Sequence, residues 1–105
     1  MGAIHERDIE AHLVERCKAL GWGCYKFTSP GRRNVPDRIV IAPGGTVLFV
    51  ELKAPGKRPT TGQAREHERL HALGCVVYVV DSFDAVEAVV WPGRERKGRV
   101  SQLSE

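Results

Sequence analysis

No stretch of this chain is apolar for long. The longest uninterrupted run is Cys75–Val80, far short of the ~20 residues a membrane-crossing helix needs. The N-terminal segment lacks the unbroken apolar core of a secretory signal, because Glu6, Arg7, Asp8 and Glu10 interrupt it. The two absences together predict a cytoplasmic protein with no membrane partner. Cysteine is scarce. Cys17, Cys24 and Cys75 are odd in number and share no short metal-type spacing. That excludes a disulfide framework and a zinc knuckle and predicts buried, reduced thiols. Internal repeats and low-complexity segments are absent too, which excludes solenoids and disordered linkers.

What remains is an ordinary globular composition. The chain has 105 residues, 42% hydrophobic and 28% charged, enough for one domain that buries roughly 60–70% of its unfolded surface. Sixteen Lys and Arg face thirteen Asp and Glu, a formal charge of +3, which leans toward polyanionic partners. Only the end of the chain shifts in character. Residues 1–90 read as the domain and 91–105 as a basic tail carrying Arg94, Arg96, Lys97 and Arg99. That tail is either a substrate-binding arm or an unpacked terminus.

Apolar periodicity sets out the elements. Over residues 4–20, Ile9, Leu13, Cys17 and Leu20 form one stripe of an amphipathic helix that Gly21 and Gly23 end. Cys24–Thr28 reads as a short strand, and Ser29–Pro36, with two prolines and two arginines, as a loop. Arg38–Ala42 and Thr46–Lys53 are strands joined by Pro43-Gly44-Gly45, a hairpin signal. Thr60–Leu73 reads as a second helix closed by Gly74. Cys75–Val80 is then a buried strand and Ser82–Val90 a short helix capped by Ser82. The order α-β-β-β-α-β predicts a mixed sheet flanked by helices.

The chemistry concentrates on the hairpin. Alternation along Val47–Lys53 puts Leu48, Val50 and Leu52 on one face and Glu51 and Lys53 together on the other. Two charges at the end of an apolar strand are costly unless compensated. Either the strand frays and they face water, or they form a site. Asp37 favours a site, because the hairpin brings it within a residue or two of being opposite Glu51. Two carboxylates suit a hard cation such as Mg²⁺, which keeps several waters besides one or two protein ligands. Such an ion polarises a phosphoryl oxygen and lowers the pKa of a bound water, and Lys53 can balance charge developing in the transition state.

Val35-Pro36-Asp37-Arg38 followed by Glu51-Leu52-Lys53 resembles the PD-(D/E)xK nuclease signature. The wider text is similar to the virus-type replication-repair nuclease (VRR-NUC) domain. It comprises Ser29-Pro30-Gly31-Arg32-Arg33, Phe49-Val50-Glu51-Leu52-Lys53-Ala54-Pro55-Gly56, Gln63, and Leu73-Gly74 before Val77–Ser82. The likeness spans about residues 4 to 83 and implies a restriction-endonuclease-like core. It further implies Asp37, Glu51 and the Leu52 backbone carbonyl as ligands of Mg²⁺ or Mn²⁺, and Lys53 as the catalytic lysine. The family's first-helix acid falls on Glu10, with Glu6 one turn earlier as the rival. Gln63 matches the family's helix-opening glutamine, yet Thr60-x-x-Gln63 is also a capping box. Where the family usually has glycine before Val-Pro-Asp this chain has Asn34, the next-best residue for a left-handed backbone.

The resemblance implies a DNA endonuclease leaving 5′-phosphate ends. By analogy with archaeal-type Holliday junction resolvases, it implies a homodimer acting on branched DNA, of bacterial or phage origin. Arg32, Arg33, Lys57, Arg58 and Arg65 surround the expected site as phosphate contacts, or else as a solvated rim. Two other readings differ in class. A non-catalytic nucleic-acid-binding module would bind without cutting, although two carboxylates beside phosphates disfavour it. A zinc peptidase could use His67-Glu68-Arg69-Leu70-His71, a literal H-E-x-x-H on a helix. Trp22 and Trp91 are expected in the core or an interface.

Overall fold

The computed structural model describes residues 2–91; the basic tail lies outside them apart from Trp91. Its elements run α1 (Glu6–Leu20), β1 (Gly23–Lys26), β2 (Arg38–Ala42), β3 (Thr46–Leu52), α2 (Thr61–Ala72), β4 (Val76–Val80) and α3 (Phe83–Val89). The four strands form one sheet in the order β1-β2-β3-β4. The first three pair antiparallel, and β3 pairs parallel with β4 across the α2 connection. A parallel pair needs such a crossover, whereas β2 and β3 need only a tight turn. Gly44 (φ 90°) and Gly45 (φ 83°) make that turn, with the Gly45 amide donating to the Ala42 carbonyl at 3.1 Å. Two consecutive positive φ angles suit the twist of a hairpin and explain the Gly-Gly pair.

The expected elements are present, with ends displaced for local reasons. α1 starts at Glu6 because His5 is its N-cap, its own amide donating to Asp8 Oδ2 at 2.7 Å. β1 begins at Gly23 and stops before Thr28. Its last contact with β2's approach is the Phe27 amide on the Asp37 carbonyl at 2.9 Å. Cys75 lies between α2 and β4 rather than in the strand, its amide closing the helix end on the Leu70 carbonyl at 2.9 Å. Thr60 and Ser82 are N-caps, as their side chains suggest.

The core lies on one face of the sheet. Val40, Leu48, Val50, Leu52, Val76, Tyr78 and Val80 meet Ile9, Leu13 and Cys17 of α1 and Val86 and Val89 of α3, all almost fully buried. Glu87 ties the two helices, accepting from His12 Nε2 at 2.7 Å and Arg16 Nε at 3.0 Å. The opposite face carries Glu51 and, over β3 and β4, helix α2. Farther along that face Tyr25, Ile41 and Val47 are exposed. One expectation about burial needs correction. Only Cys17 of the cysteines is buried, because Cys24 and Cys75 sit at element ends, although all three are free thiols. Trp22 packs on the core, but Trp91 follows the last helix and is 62% exposed. No helix among the described residues is long and apolar enough to cross a membrane.

Candidate active site

The site forms where β2 begins and β3 ends. Register pairs Arg38 with Val50, so one further step places Asp37 opposite Glu51. Pro36, buried, fixes the approach of Asp37. Asp37 is locked to the neighbouring strand, because the Leu52 amide donates to its Oδ2 at 2.8 Å. Upstream, Asn34 takes φ 64°, the left-handed turn expected of it in place of glycine.

Glu51 is 1% exposed, so the strand does not fray and its charge does not face water. Three side chains surround it. Gln63 Nε2 donates to Glu51 Oε2 at 2.9 Å, Lys53 Nζ lies 3.9 Å from the same oxygen, and His67 Nε2 lies 3.6 Å from Oε1. Lys53 is itself mostly buried, its side chain 14% exposed, while its amide joins β4 through the Val80 carbonyl at 2.9 Å. Glu51 Oε1 has no hydrogen-bond partner among the described residues. A buried carboxylate oxygen left without a donor is costly.

Gln63 caps its helix and also reaches Glu51. Its Oε1 accepts from the Thr60 amide at 2.9 Å and its own amide donates to Thr60 Oγ1 at 3.1 Å, completing the capping box. That leaves Nε2 for Glu51. The cap therefore aims the amide at the site, since fixing one end of a short side chain fixes the other.

Glu10 reaches the same end of the sheet from α1. Arg38 Nε donates to its Oε2 at 2.8 Å and Lys26 Nζ at 3.2 Å. Burial works to raise its pKa, but these hydrogen bonds and the two positive charges outweigh it and hold the carboxyl below its ordinary value. Asp37 behaves oppositely. Burial pushes its carboxyl up, the Leu52 hydrogen bond pulls it back, and the negative charges of Glu51, Glu6 and Glu10 add to the rise. Glu6, exposed, bears on Asp37 more strongly than Glu10 does.

A divalent cation would suit this donor set. The orphaned Glu51 oxygen and the raised Asp37 carboxyl are both groups that a positive charge would relieve. Among the described residues no three His, Cys, Asp or Glu side chains converge on one metal position. Any ion held there would therefore take the rest of its ligands from backbone carbonyls or water. Within the H-E-x-x-H segment, His67 turns toward Glu51 and Glu68 is exposed.

The five cations expected around the site divide into two groups. Arg32, Arg33 and Arg65 line a shallow groove together with Arg69, while Lys57 and Arg58 line a separate cleft. Arg32 is partly committed, its Nε donating to the buried Glu66 at 2.9 Å. Sequence reasoning missed Arg69 and, although the row shared with Gln63 implied partial burial of His67 against the sheet, it missed the approach of His67 to Glu51. Their signals were there: Arg69 follows Arg65, and His67 follows Gln63, by one helical turn. It also missed Lys26 and Arg38 as partners of Glu10, which only the β1–β2 pairing reveals.

A protein described as "Putative nuclease p44", from Acyrthosiphon pisum secondary endosymbiont phage 1, is 56% identical over 84 residues, 80% of this chain and 90% of its own length. A solved structure described as "VRR_NUC domain" matches with a TM-score of 0.77 at 37% identity, covering 85% of this chain and 97% of that one. The chain belongs to the VRR-NUC family. No family model matches it. In this VRR-NUC chain the mixed α/β sheet with its α-β-β-β-α-β order is the family's nuclease fold, as the motif text implied.

Proposed function

We propose that this VRR-NUC chain is a Mg²⁺- or Mn²⁺-dependent endonuclease that hydrolyses DNA phosphodiester bonds. The observation that carries the reading is the buried Glu51 carboxylate. It lies opposite Asp37, flanked by Lys53 and Gln63, with one oxygen unpartnered. Its kinship with a phage protein described as a nuclease points the same way.

Asp37 and Glu51, with the Leu52 carbonyl beside them, are the groups that would hold the cation. When bound, it supplies Lewis-acid polarisation of the phosphate and a lowered pKa for a coordinated water. Everything else falls to the chain's own residues. Gln63 fixes the Glu51 carboxylate through Nε2. Lys53, 3.9 Å from Glu51, sits where it can neutralise the extra negative charge on the phosphate oxygens as the new bond forms. Arg32, Arg33, Arg65, Lys57 and Arg58 bind neighbouring phosphates and set register without reading sequence. Water adds to phosphorus opposite the 3′-oxygen, the P–O3′ bond breaks, and a proton ends on that oxygen, giving 5′-phosphate and 3′-hydroxyl ends. Glu10, neutralised by Arg38 and Lys26, shapes the acidic edge, and Glu6 is the free carboxylate nearest in effect to Asp37.

The substrate we propose is branched DNA, cut by a two-fold homodimer. One chain carries one such site, whereas symmetric resolution of a junction needs two. The uncovered sheet face supports the second copy. Tyr25, Ile41 and Val47 stand exposed on adjacent strands with no charge among them. A two-fold axis maps such a patch onto itself without opposing like charges.

The test is cleavage of a labelled four-way junction beside a linear duplex of the same sequence with Mg²⁺ or Mn²⁺. Paired nicks across the junction are expected. Cutting of the linear duplex alone would remove the branched-DNA reading, and tight binding with no cutting under either metal would favour a non-catalytic binding module.

A further inference from the structure

Helix α2 sets two side chains, one turn apart, over the same carboxylate. Gln63 Nε2 donates to Glu51 Oε2 at 2.9 Å, and His67 Nε2 lies 3.6 Å from Oε1. The two oxygens are served unequally. Oε2 has Gln63 and also Lys53, at 3.9 Å. Oε1 and the His67 nitrogen are both buried with no hydrogen-bond partner among the described residues. His67 is 6% exposed and Glu51 1%, so bulk water does not supply the missing bond. Buried polar atoms without partners are costly, and here two of them face each other.

Charge decides what the imidazole presents. A bare nitrogen lone pair repels a carboxylate oxygen, whereas an N–H is attracted to it, so Glu51 selects the form of His67 with hydrogen on Nε2. The gap is less than about 1 Å wider than an ordinary N–H···O bond. Hydrogen bonds at catalytic groups commonly tighten only once the site is loaded, and the broad χ2 well of histidine lets the ring follow. An ionised carboxylate oxygen accepts more than one partner. Oε1 can therefore take the His67 N–H and still turn a lone pair to a cation.

We propose that His67 is a positioning residue for Glu51. Its Nε2–H donates to Oε1 when a divalent cation is held, and with Gln63 it clamps the carboxylate at both oxygens. The proposal rests on the reading of Glu51 as a metal ligand. A carboxylate held at one oxygen still turns about its terminal bond, whose torsional well is broad; held at both, it is fixed in its plane. Partners of this kind aim a metal ligand, and losing one typically costs about ten- to a hundredfold in metal affinity or activity. In this role His67 touches neither the phosphate nor the attacking water and does not ligate the cation. The first histidine of His67-Glu68-Arg69-Leu70-His71 thereby has a use that needs no zinc.

The experiment measures Mn²⁺ binding to the full chain without DNA, by loss of the free-ion EPR signal. It compares the wild type, His67→Phe and His67→Gln, with Asp37→Asn as the control for the site. Phenylalanine fills the space without a donor, and glutamine restores an N–H. His67→Phe is expected to bind Mn²⁺ about ten- to a hundredfold more weakly, and His67→Gln to recover most of the loss. In cleavage, kcat of His67→Phe should fall at low Mn²⁺ and recover as the ion is raised, with KM for DNA unchanged. A general loss of structure would not produce that split. The wild type supplies a measurement that needs no variant: the nitrogen NMR spectrum of His67 should place a hydrogen on Nε2 and shift when Mg²⁺ is added. Equal affinity in His67→Phe, a loss that glutamine does not relieve, or a ring with hydrogen on Nδ1 alone would overturn the proposal and leave the metal site standing. So would an imidazole nitrogen coupling in the EPR of bound Mn²⁺, which would make His67 a ligand. A wild type that binds no Mn²⁺ would remove the metal-site reading itself, and the proposal with it.

Discussion

Asp37 and Glu51 show how a buried charge signals function. In a protein built only for stability, Glu51 would be replaced by an apolar residue, since a strand interior does not favour an unpartnered carboxylate oxygen. Asp37 yields a direct test of that conflict. Its carboxyl is raised in the folded state by burial and by neighbouring negative charge. The folded chain therefore holds this proton more tightly than the unfolded chain does. That contribution is fully present below the unfolded carboxyl value and is lost as pH rises through the raised folded value. At neutral pH without metal, the ionised Asp37 is a burden. Asp37→Asn keeps an acceptor for the Leu52 amide, so in EDTA at pH 7 it should raise Tm by a few degrees while abolishing cleavage. The Tm gain should shrink as the pH is lowered, and Mg²⁺ should stabilise the wild type but not the variant. A lower Tm for the variant at pH 7 would contradict the electrostatic account. Cys24 offers a second residue-scale test. The Cys17 thiol donates to it and Arg38 lies near, which lowers Cys24 to about 7 and pushes Cys17 up. Alkylation by iodoacetamide should fall on Cys24 before Cys17 and Cys75, with a midpoint near that pH. Asp37, Glu51 and Lys53 were legible in the sequence because strand alternation and one hairpin turn fix their relation. The Cys17–Cys24 contact was not, because it joins α1 to β1 across a turn whose direction no periodicity encodes.

Helix α2 carries most of what the sequence could not show. Its cap was readable, and Thr60→Ala should cost about 1 kcal/mol in thermal or denaturant unfolding. It should also lower activity, because the cap aims Gln63 at Glu51. A loss of stability with no change in activity would separate the two roles. The placement of His67 was not readable: its helical row was clear, but which sheet residue that row meets depends on how α2 lies across β3 and β4. The loop before Asp37 is coupled to the same helix. A Cβ at Gly62 would stand 2.6 Å from Asn34 Nδ2, so Gly62 makes room for Asn34, which itself stands where the family usually has glycine. Gly62→Ala should therefore bring little or no stability in the wild type. In an Asn34→Gly background it should recover up to ~1 kcal/mol of helix propensity. Equal effects in both backgrounds, measured by denaturant unfolding, would show that the two positions are independent.

At the scale of the molecule, the sheet divides its duties between faces and ends. One face is the core, one end is the acidic site, and the uncovered part of the other face is apolar. The element order, and the shared face of Leu48, Val50 and Leu52, followed from apolar spacing and turn residues. The exposure of Tyr25, Ile41 and Val47 did not, because a valine on a strand reads the same whether a helix covers it or not. If that face joins two copies, Val47→Lys should yield a monomer by sedimentation without lowering Tm, and paired junction cuts should become single nicks. A dimer that persists would place the interface elsewhere. The claim on which all of this rests is that Asp37, Glu51 and Lys53 form a metal-dependent hydrolytic site. The most direct measurement is cleavage of labelled branched DNA by wild type and Lys53→Ala, each with Mg²⁺ and with EDTA, with DNA binding followed in parallel. Cutting only by the wild type with Mg²⁺, and binding by both proteins, is the predicted result; cutting that survives EDTA or the loss of Lys53 would contradict it.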